Sequence, residues 1–330
     1  MILVITRKND LHAERVIQVL ESIGEKASPI DFSFFPTKLE MSFEFYRRFH
    51  GRKADFFITL PNGDQVCADS IKSILNRRKS EPVPPESVIK PEFRDYIIKE
   101  SESFLAAFYK MTNCFWLNSP HAVDIANQKP YQLQLASKLG FTTPPTLITN
   151  SPERAKIFVE QFGPILAVKT ISSTGIRFVD DDGKEKRFSL YTKKLSRQKV
   201  LSALTRIKNC PTIFQKYIEK KFELRITVVG ERVFACAIYS QESDRTREDW
   251  RRYDLPNTPH KIFALPGDIE DKCVLLVKEL GLSFGCIDLI VTPNDEYVFL
   301  EINPNGQWLW IEQLTGLPIT RSIAELLCNS

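Results

Sequence analysis

One stretch near the C-terminal end of the chain constrains the fold more than any other. Residues 283–308 read SFGCIDLIVTPNDEYVFLEINPNGQW, with two β-rich runs on either side of residues 293–296. Because Pro, Asn and Asp favour turns, this pattern predicts a β-hairpin. A turn centred on the middle of that short segment places Asp288 directly opposite Glu301.

The alternation of side chains along a strand assigns the second run of this hairpin to two faces. Glu301 and Asn303 share one face, while Val298, Leu300 and Ile302 take the other. The first face therefore carries side chains with oxygen atoms, and the second carries apolar side chains.

The predicted pair of carboxylates needs compensation. Directly opposed side chains have Cβ atoms only about 5 Å apart, so Asp288 and Glu301 would repel each other. A hard dication is the natural candidate, since Asp288, Glu301 and the Asn303 carbonyl offer the oxygen ligands that Mg²⁺ prefers. The alternative is an ordinary surface hairpin in which one carboxylate points to solvent.

Composition limits the classes of protein to which the chain can belong. With 330 residues, of which 43% are hydrophobic, it can bury substantial cores and is expected to hold two or three domains. Its formal net charge of +4 is too small to indicate a nucleic-acid or membrane partner. Seven cysteines without a Cys-x-x-Cys pair, no N-terminal signal and no long apolar run predict a soluble cytoplasmic protein.

The N-terminal part has the pattern of an α/β domain. A strand over residues 2–5, a helix over residues 11–22 and a strand over residues 27–32 predict a β-α-β unit. No Gly-x-Gly-x-x-Gly follows the first strand, so dinucleotide binding there is not supported. Residues 43–78 have the pattern of edge strands, and residues 91–112 have that of a helix.

The rest of the chain divides into two further parts with mixed helices and strands, which gives predicted domains of residues 1–118, 119–211 and 212–330. In the middle part a helix begins near Lys129, and a strand ends at Lys169 before a loop of small residues, 172–175. Ser196 is expected to cap a helix that ends near Ile207. The last part is rich in strands and ends with the hairpin described above.

Three cations lie beside these predicted strands. Lys169 precedes the small-residue loop, where backbone N–H groups and a lysine can hold phosphates. Arg225 lies upstream of the carboxylates and Lys129 begins a helix, although each cation alone is more often a surface residue. The chain has no P-loop motif, no Gly-x-Ser-x-Gly elbow and no metal-type histidine spacing. The residues alone therefore predict an enzyme that uses metal and phosphate, without choosing among such enzymes.

The order of the motifs is more informative than any one of them. The series consists of Lys129 and of residues 167–169, 214–218, 223–225, 286–289 and 300–305. From about residue 119 onward it resembles the ATP-grasp superfamily, and within that superfamily the microviridin-type (graspetide) peptide macrocyclases. The features that point to the macrocyclases are WLNSP at 116–120, TLITN at 146–150, YT at 191–192, DWR at 249–251 and NGQW at 305–308.

The resemblance implies an ATP-grasp fold of the α/β (α+β) class. An N-terminal pre-ATP-grasp α/β domain would precede a small central α+β domain and a C-terminal domain with an antiparallel sheet. The implied ligands are ATP and Mg²⁺. For the nucleotide, the resemblance implies phosphate contacts for Lys129 and Lys169, an adenine-binding hinge at Gln215, Lys216, Tyr217 and Ile218, and a sugar contact for Glu223. It implies that Arg225 steadies the transferring phosphate and that Arg251 lies near the substrate. The implied magnesium ligands are Asp288, Glu301 and Asn303.

The resemblance also implies an activity. The enzyme would activate Asp or Glu side chains of a ribosomal precursor peptide, leader plus core, as acyl phosphates, and a Thr, Ser or Lys side chain would then close the ring. A homodimer without nucleic-acid or membrane partners is expected. The acidic residues 180–182 would pair with a basic leader residue, or else form a solvated turn. The alternatives are another carboxylate–amine ligase, glutathione-synthetase-like or glutamate-ligating, and a non-catalytic nucleotide-binding module.

Overall fold

The computed structural model describes residues 1–45, 55–172, 175–180, 182–188 and 191–329. The strands are β1 (Ile2–Ile5), β2 (Ala27–Ile30), β3 (Glu40–Glu44), β4 (Asp55–Thr59), β5 (Gln65–Cys67), β6 (Ser73–Asn76), β7 (Phe115–Leu117), β8 (Thr146–Thr149), β9 (Ile165–Lys169), β10 (Ile176–Val179), β11 (Glu185–Phe188), β12 (Lys193–Ser196), β13 (Thr212–Lys216), β14 (Phe222–Val229), β15 (Arg232–Ile238), β16 (His260–Ile262), β17 (Phe284–Val291) and β18 (Tyr297–Asn303). The helices are α1 (Leu11–Ser22), α2 (Pro91–Met111), α3 (Pro120–Ala126), α4 (Lys129–Lys138), α5 (Pro152–Gln161), α6 (Arg197–Leu201), α7 (Gly267–Glu279), α8 (Leu309–Thr315) and α9 (Ile319–Cys328).

A parallel sheet in the order β2-β1-β6-β7 organises the N-terminal part, and β3, β4 and β5 form a separate antiparallel sheet. The predicted β-α-β unit is present as β1, α1 and β2, and Asp10 caps α1 by accepting the backbone N–H groups of His12 and Ala13. The prediction of edge strands is wrong for β6, which pairs with β1 on one side and with β7 on the other. Ser73 and Asn76 enclose only two apolar residues in β6, so its run is too short to indicate a buried central strand.

The middle part contains an antiparallel sheet in the order β12-β9-β13-β8, with α5 and α6 beside it, and the separate hairpin of β10 and β11. The predicted helix from Ser196 to Ile207 is interrupted, because α6 ends at Leu201 and a 3-10 turn covers Leu204–Asn209. The Ser202 hydroxyl donates to the Lys199 carbonyl at 2.9 Å, a local bond of the kind that competes with helix propagation.

The C-terminal part is built on an antiparallel sheet in the order β16-β15-β14-β17-β18. Every residue of β14 and β17 is buried, because α7 packs against one face of the sheet and the other parts of the chain cover the opposite face. Residues of α1, α9 and the C-terminal sheet share one apolar cluster, which joins the N-terminal and C-terminal parts. The predicted hairpin is formed by β17 and β18, and Asp288 pairs in register with Glu301.

A β-bulge changes the predicted faces of β18. Asp288 pairs with Glu301 but the next residue, Leu289, pairs with Phe299, so Leu300 is the extra residue. Leu300 therefore lines the same cleft as Glu301, and its assignment to the opposite face is wrong. The assignment of Val298 is wrong as well, because Val298 pairs with Ile290, which shares the face of Asp288. Ile302 lies in the apolar core, as expected for the opposite face. The extra residue continues the apolar run of residues 297–299, so the sequence pattern gave no sign of the bulge.

The mixture of a parallel N-terminal sheet with antiparallel central and C-terminal sheets confirms the predicted fold class. The domain boundaries near residues 118 and 211 stay predictions. Within the described ranges, no helix combines the length and the apolar composition required to cross a bilayer.

Candidate active site

A cleft lies between the middle sheet and the C-terminal sheet. The predicted site residues that line the cleft are Lys129, Lys169, Gln215, Lys216, Tyr217, Ile218, Glu223, Arg251, Asp288 and Glu301. Two other predicted residues, Arg225 and Asn303, lie next to the cleft without lining it. The fold thus brings together residues that come from strands far apart in the sequence.

The acidic end of the cleft is formed by Asp288 on β17 and Glu301 on β18. Arg225 Nη1 donates to both carboxylate oxygens of Asp288, at 3.0 and 3.2 Å. Lys129 Nζ lies 2.8 Å from Glu301 Oε2, and Arg251 Nη1 lies 3.8 Å from Glu301 Oε1. In this structure the repulsion predicted for the two carboxylates is therefore offset by protein cations.

The two carboxylates differ in pKa because their surroundings differ. Burial opposes ionisation of Glu301, but the cations Lys129, Arg251 and Lys169 outweigh burial and lower the pKa of Glu301 to about 2. Burial raises the pKa of Asp288, and the attraction of Arg225 offsets this only in part. The pair thus combines one firmly ionised carboxylate with one whose charge depends on its neighbours.

The donor set at this end fits Mg²⁺. Over the described parts of the chain, no three His, Cys, Asp or Glu side chains converge on one point, so an all-carboxylate cage is absent there. Mg²⁺ usually takes one or two carboxylates together with phosphate oxygens and water, which the pair of Asp288 and Glu301 can provide for. Asn303 lies two residues beyond Glu301 on β18, and its Oδ1 accepts the Asn305 N–H at 2.9 Å, which leaves one lone pair for a metal.

Lys169 supplies a cation that the surrounding protein does not pair. It ends β9 and faces the cleft, and within the described ranges its ammonium group makes no hydrogen bond or ion pair. Burial lowers the pKa of Lys169 to about 8, although Glu301 opposes the shift. An anion next to this ammonium group would restore its charge. The small-residue loop follows, but its residues 173 and 174 lie outside the described residues.

The opposite end of the cleft contains the predicted hinge. Gln215 is buried, and its Nε2 donates to Thr146 Oγ1 at 3.0 Å. The strand β13 ends at Lys216, so Tyr217 and Ile218 lie in the connection to β14, beyond the sheet ladder. Backbone N–H and C=O groups in such a connection are not used for strand pairing, so they can form hydrogen bonds with the edge of a planar ring in a ligand.

Glu223 lies beside this hinge and already has partners in the protein. Lys220 Nζ is 2.7 Å from its Oε1, and the Ser240 hydroxyl donates to its Oε2. Burial raises the pKa of Glu223 against the attraction of Lys220. Glu223 lines the cleft, and each of its carboxylate oxygens can accept a further hydrogen bond.

Arg225 and Arg251 reach the acidic end from different sides. Arg225 lies behind Asp288, its guanidinium carbon is 5.7 Å from the centre of the Trp250 ring, and its Nη2 donates to the Gln307 carbonyl at 3.4 Å. Arg251 lines the cleft and donates to both oxygens of Asp249, from Nε at 2.8 Å and from Nη2 at 2.6 Å. Both guanidinium groups are held in fixed orientations by carboxylates.

Asp249 also lines the cleft, and the sequence gave it no assigned role. It is buried, it orients Arg251, and its Oδ2 also accepts the backbone N–H of Thr192 at 3.1 Å. Both residues belong to short motifs, 191–192 and 249–251, that carried the family resemblance, and that was the available signal. Lys220 was missed as well, because its partner Glu223 becomes evident only from the packing of β14.

In the acidic turn at residues 180–182, the carboxylate of Asp180 already has partners within the protein. Asp180 accepts the backbone N–H groups of Asp182 and Lys184, and its Oδ2 lies 2.7 Å from Lys186 Nζ. Asp181 lies outside the described residues. The pairing of this turn with a peptide stays a prediction.

Two protein-family models match successive parts of the chain. Residues 1–124 match the family model of the MvdD pre-ATP grasp domain, and residues 126–327 match that of the RimK-like ATP-grasp domain. No curated protein matches the chain. A search of solved structures gives many matches, and three of the most similar come from two bacteria.

A Chryseobacterium gregarium RiPP-associated ATP-grasp ligase, solved with ADP and a leader and core peptide, is 31% identical with a TM-score of 0.88, over 99% of this chain and 96% of that one. The macrocyclase MdnC from Microcystis aeruginosa MRC, bound with the precursor peptide MdnA, is 31% identical with a TM-score of 0.84, over 100% of this chain and 99% of that one. The macrocyclase MdnB from the same organism is 27% identical with a TM-score of 0.77, over 100% and 99% of the two chains.

Proposed function

Because the chain belongs to the family of ATP-grasp ligases with an MvdD-type N-terminal domain, we propose that it is an ATP-dependent ligase that closes rings within a ribosomal precursor peptide. An Asp or Glu side chain of the peptide attacks the γ-phosphorus of ATP, which forms an acyl phosphate and releases ADP. A Thr or Ser hydroxyl, or a Lys amine, then attacks the acyl carbon. This second step forms an ester or an amide and releases inorganic phosphate.

The observation that carries the proposal is the charge arrangement of the cleft. A carboxylate that approaches ATP is an anion that approaches a polyanion, so the enzyme must offset their repulsion and stabilise the transferring phosphoryl group. Lys169 presents an unpaired cation within the described part of the cleft, and Lys129 lies at its acidic end. Arg251 reaches the same end and is oriented by Asp249.

The proposed roles follow from the positions of the side chains. Lys129 and Lys169 hold phosphate oxygens, and Arg225 and Arg251 steady the γ-phosphoryl group and the attacking carboxylate. The backbone of residues 215–218 contacts the adenine edge, and Glu223 accepts a hydroxyl of the ribose. No protein nucleophile is needed, because the substrate carboxylate forms the covalent intermediate itself.

Magnesium is part of the proposal, with Asp288, Glu301 and the Asn303 amide oxygen as its protein ligands. When bound, Mg²⁺ supplies charge that neutralises the β- and γ-phosphate oxygens. The protein prepares this end of the site by keeping Glu301 ionised and by turning both carboxylates toward each other across β17 and β18.

The partner is proposed to be a precursor peptide with a leader and a core, since two of the most similar solved structures contain a precursor or a leader and core peptide. A homodimer in the cytoplasm is proposed as the working state. The formal net charge of +4 gives no reason to propose a nucleic-acid or membrane partner.

The test is co-expression of the chain with a candidate precursor peptide rich in Thr, Asp and Glu, followed by mass spectrometry. Each ring that is closed removes one water, and hydrolysis distinguishes an ester from an amide. Rings in the product support the proposal. An unchanged peptide together with ATP hydrolysis that is prompted by free amino acids would instead identify a glutathione-synthetase-like or glutamate-ligating enzyme.

A further inference from the structure

A buried arginine of the N-terminal part, Arg77, contacts the loop that follows the last strand of the C-terminal sheet. Arg77 comes directly after β6 and is 2% exposed. Its Nη1 donates to the Asn305 carbonyl at 2.7 Å, and its guanidinium carbon lies 5.0 Å from the centre of the Trp308 ring. The contact joins parts of the chain that are 228 residues apart.

The same loop fixes the amide of Asn303. The backbone N–H of Asn305 donates to Asn303 Oδ1 at 2.9 Å, so Arg77 is two hydrogen bonds from that oxygen. Asn118, which follows β7, fastens the loop at a neighbouring point, because its Nδ2 donates to the Pro304 carbonyl at 3.0 Å. Two side chains of the N-terminal part therefore hold the backbone next to a proposed metal ligand.

Packing alone does not explain why a charged side chain is buried at this position. Over the described residues, Nε and Nη2 of Arg77 have no hydrogen-bond partner, and the Asp10 oxygen nearest to Nε lies 3.8 Å away. Burial lowers the pKa of Arg77 to about 10, because desolvation opposes its charge more than Asp10 supports it. An apolar side chain of similar length would fill the space without this cost. Besides its contacts with the Trp308 ring and Asp10, the guanidinium adds the hydrogen bond to Asn305.

We infer that Arg77 is a positioning residue for the magnesium end of the site. It fixes the Asn305 carbonyl, and the backbone N–H of the same residue holds the Asn303 amide oxygen on the face of β18 that carries Glu301. The inference rests on the proposed function, because it requires that Asn303 is a magnesium ligand. It also gives the N-terminal part a role in the chemistry, since the metal ligands themselves lie on the C-terminal sheet.

The variant Arg77→Met tests the inference, and Arg78→Met is the matched control. Arg78 is the next residue, and its Nε lies 3.6 Å from Asp10 Oδ2, but it has no recorded bond to the 304–308 loop within the described structure. Arg77→Lys keeps the charge and serves if the Met variant does not fold, which thermal unfolding shows. The measured quantity is the affinity for a fluorescent ATP analogue, first with EDTA and then over a series of Mg²⁺ concentrations.

The quantity compared is the Mg²⁺ concentration that gives half of the magnesium-dependent gain in affinity. We expect this concentration to be about 10–100-fold higher for Arg77→Met than for the wild type, because removal of a group that orients a metal ligand has an effect of this size. For Arg77→Lys this Mg²⁺ concentration should rise by a smaller factor. In EDTA both variants should bind the ATP analogue with the affinity of the wild type. A Mg²⁺ requirement equal to that of Arg78→Met, or an equal loss of affinity with and without Mg²⁺, overturns the inference. A wild-type protein whose binding ignores Mg²⁺ overturns the magnesium proposal as well, so the two failures are distinguishable.

Discussion

Asp288 and Glu301 face each other across β17 and β18, and each carboxylate is bound by a different cation. Arg225 contacts Asp288 at 3.0 Å, and Lys129 contacts Glu301 at 2.8 Å. The bulge between Asp288 and Leu289 turns Leu300 into the cleft beside Glu301, so an apolar side chain borders the acidic end. The opposed pair of carboxylates is therefore tolerated before any ligand binds. The same two cations, Lys129 and Arg225, are the ones proposed to contact phosphate oxygens.

The amide variants Asp288→Asn and Glu301→Gln are expected to lower peptide-dependent ATP turnover at least about 100-fold, since loss of a ligand should exceed loss of an orienting group. An amide is preferable to alanine at position 288, because a truncated side chain would leave Arg225 buried without its partner, at about 3–5 kcal/mol. Asp295→Asn, in the exposed turn of the same hairpin, is the control. Turnover is measured beside thermal unfolding, and wild-type turnover in either amide variant removes the metal assignment.

The affinity for ATP should depend on pH through Lys169. Burial lowers the pKa of Lys169 to about 8 in the free protein, and phosphate oxygens favour the ammonium form, so nucleotide binding raises this pKa. The affinity should thus be constant below about pH 8 and fall as the pH rises further, by at most about tenfold per pH unit. Lys169→Arg should flatten this profile, because guanidinium stays charged. Lys193→Arg, at an exposed position of β12 next to β9, is the control.

A binding profile for the wild type that stays level up to about pH 9.5 would contradict this assignment, as would an equal flattening by Lys193→Arg. The dissociation constant is measured by titration of a fluorescent nucleotide at each pH.

Much of the site could be predicted from the sequence because it depends on local rules. Alternation and turn composition predicted Asp288 opposite Glu301, but the pairs nearer the turn are centred on Asn294, so this pairing also depends on the bulge at Leu300. Short apolar patterns located β9 and α1. The ordered motifs then identified the fold. The individual strands and helices require information from one hairpin or one helix at a time, whereas the motifs were informative through their order along the chain.

The remainder depends on contacts between distant segments. The position of β6 in the centre of its sheet follows from neighbours on both sides, and neither is visible in a run of four residues. The bond from Arg77 to Asn305 spans 228 residues, so no periodicity connects its two ends. The bulge at Leu300 was hidden because an extra apolar residue does not interrupt an apolar run.

Asp249→Asn should lower turnover about tenfold or more while nucleotide affinity stays near the wild-type value, because hydrogen bonds to a charged group contribute about 1.5–3 kcal/mol. The change weakens both bonds that orient Arg251 and keeps the shape of the side chain. Asp244→Asn is the matched control, since Asp244 pairs with Arg247 in the same loop but its side chain is 90% exposed. Steady-state kinetics with peptide gives kcat and KM separately. An equal effect of both variants would mean that the loop as a whole, and not Arg251, was disturbed.

Gly306→Ala should impair the enzyme by displacing Arg225. A Cβ at position 306 would lie 2.7 Å from Arg225 Nη2 and would also overlap Cys286. The guanidinium cannot retreat without loosening its bonds to Asp288, and such overpacking costs about 1–3 kcal/mol. We therefore expect a lower unfolding temperature and a loss of turnover. Gly267→Ala, at the start of α7, is the control because an added Cβ there would meet no atom within 4 Å.

The two readouts separate the possible causes of the Gly306→Ala effect. If the loop shifts and Arg225 keeps its place, unfolding occurs at a lower temperature while turnover at low temperature is preserved. If Arg225 moves, turnover falls at temperatures where the protein is fully folded, because the group proposed to steady the transferring phosphoryl is out of position. The second result is the one expected, since the added Cβ would lie 2.7 Å from Arg225 Nη2. Unchanged turnover would show that Arg225 keeps its place.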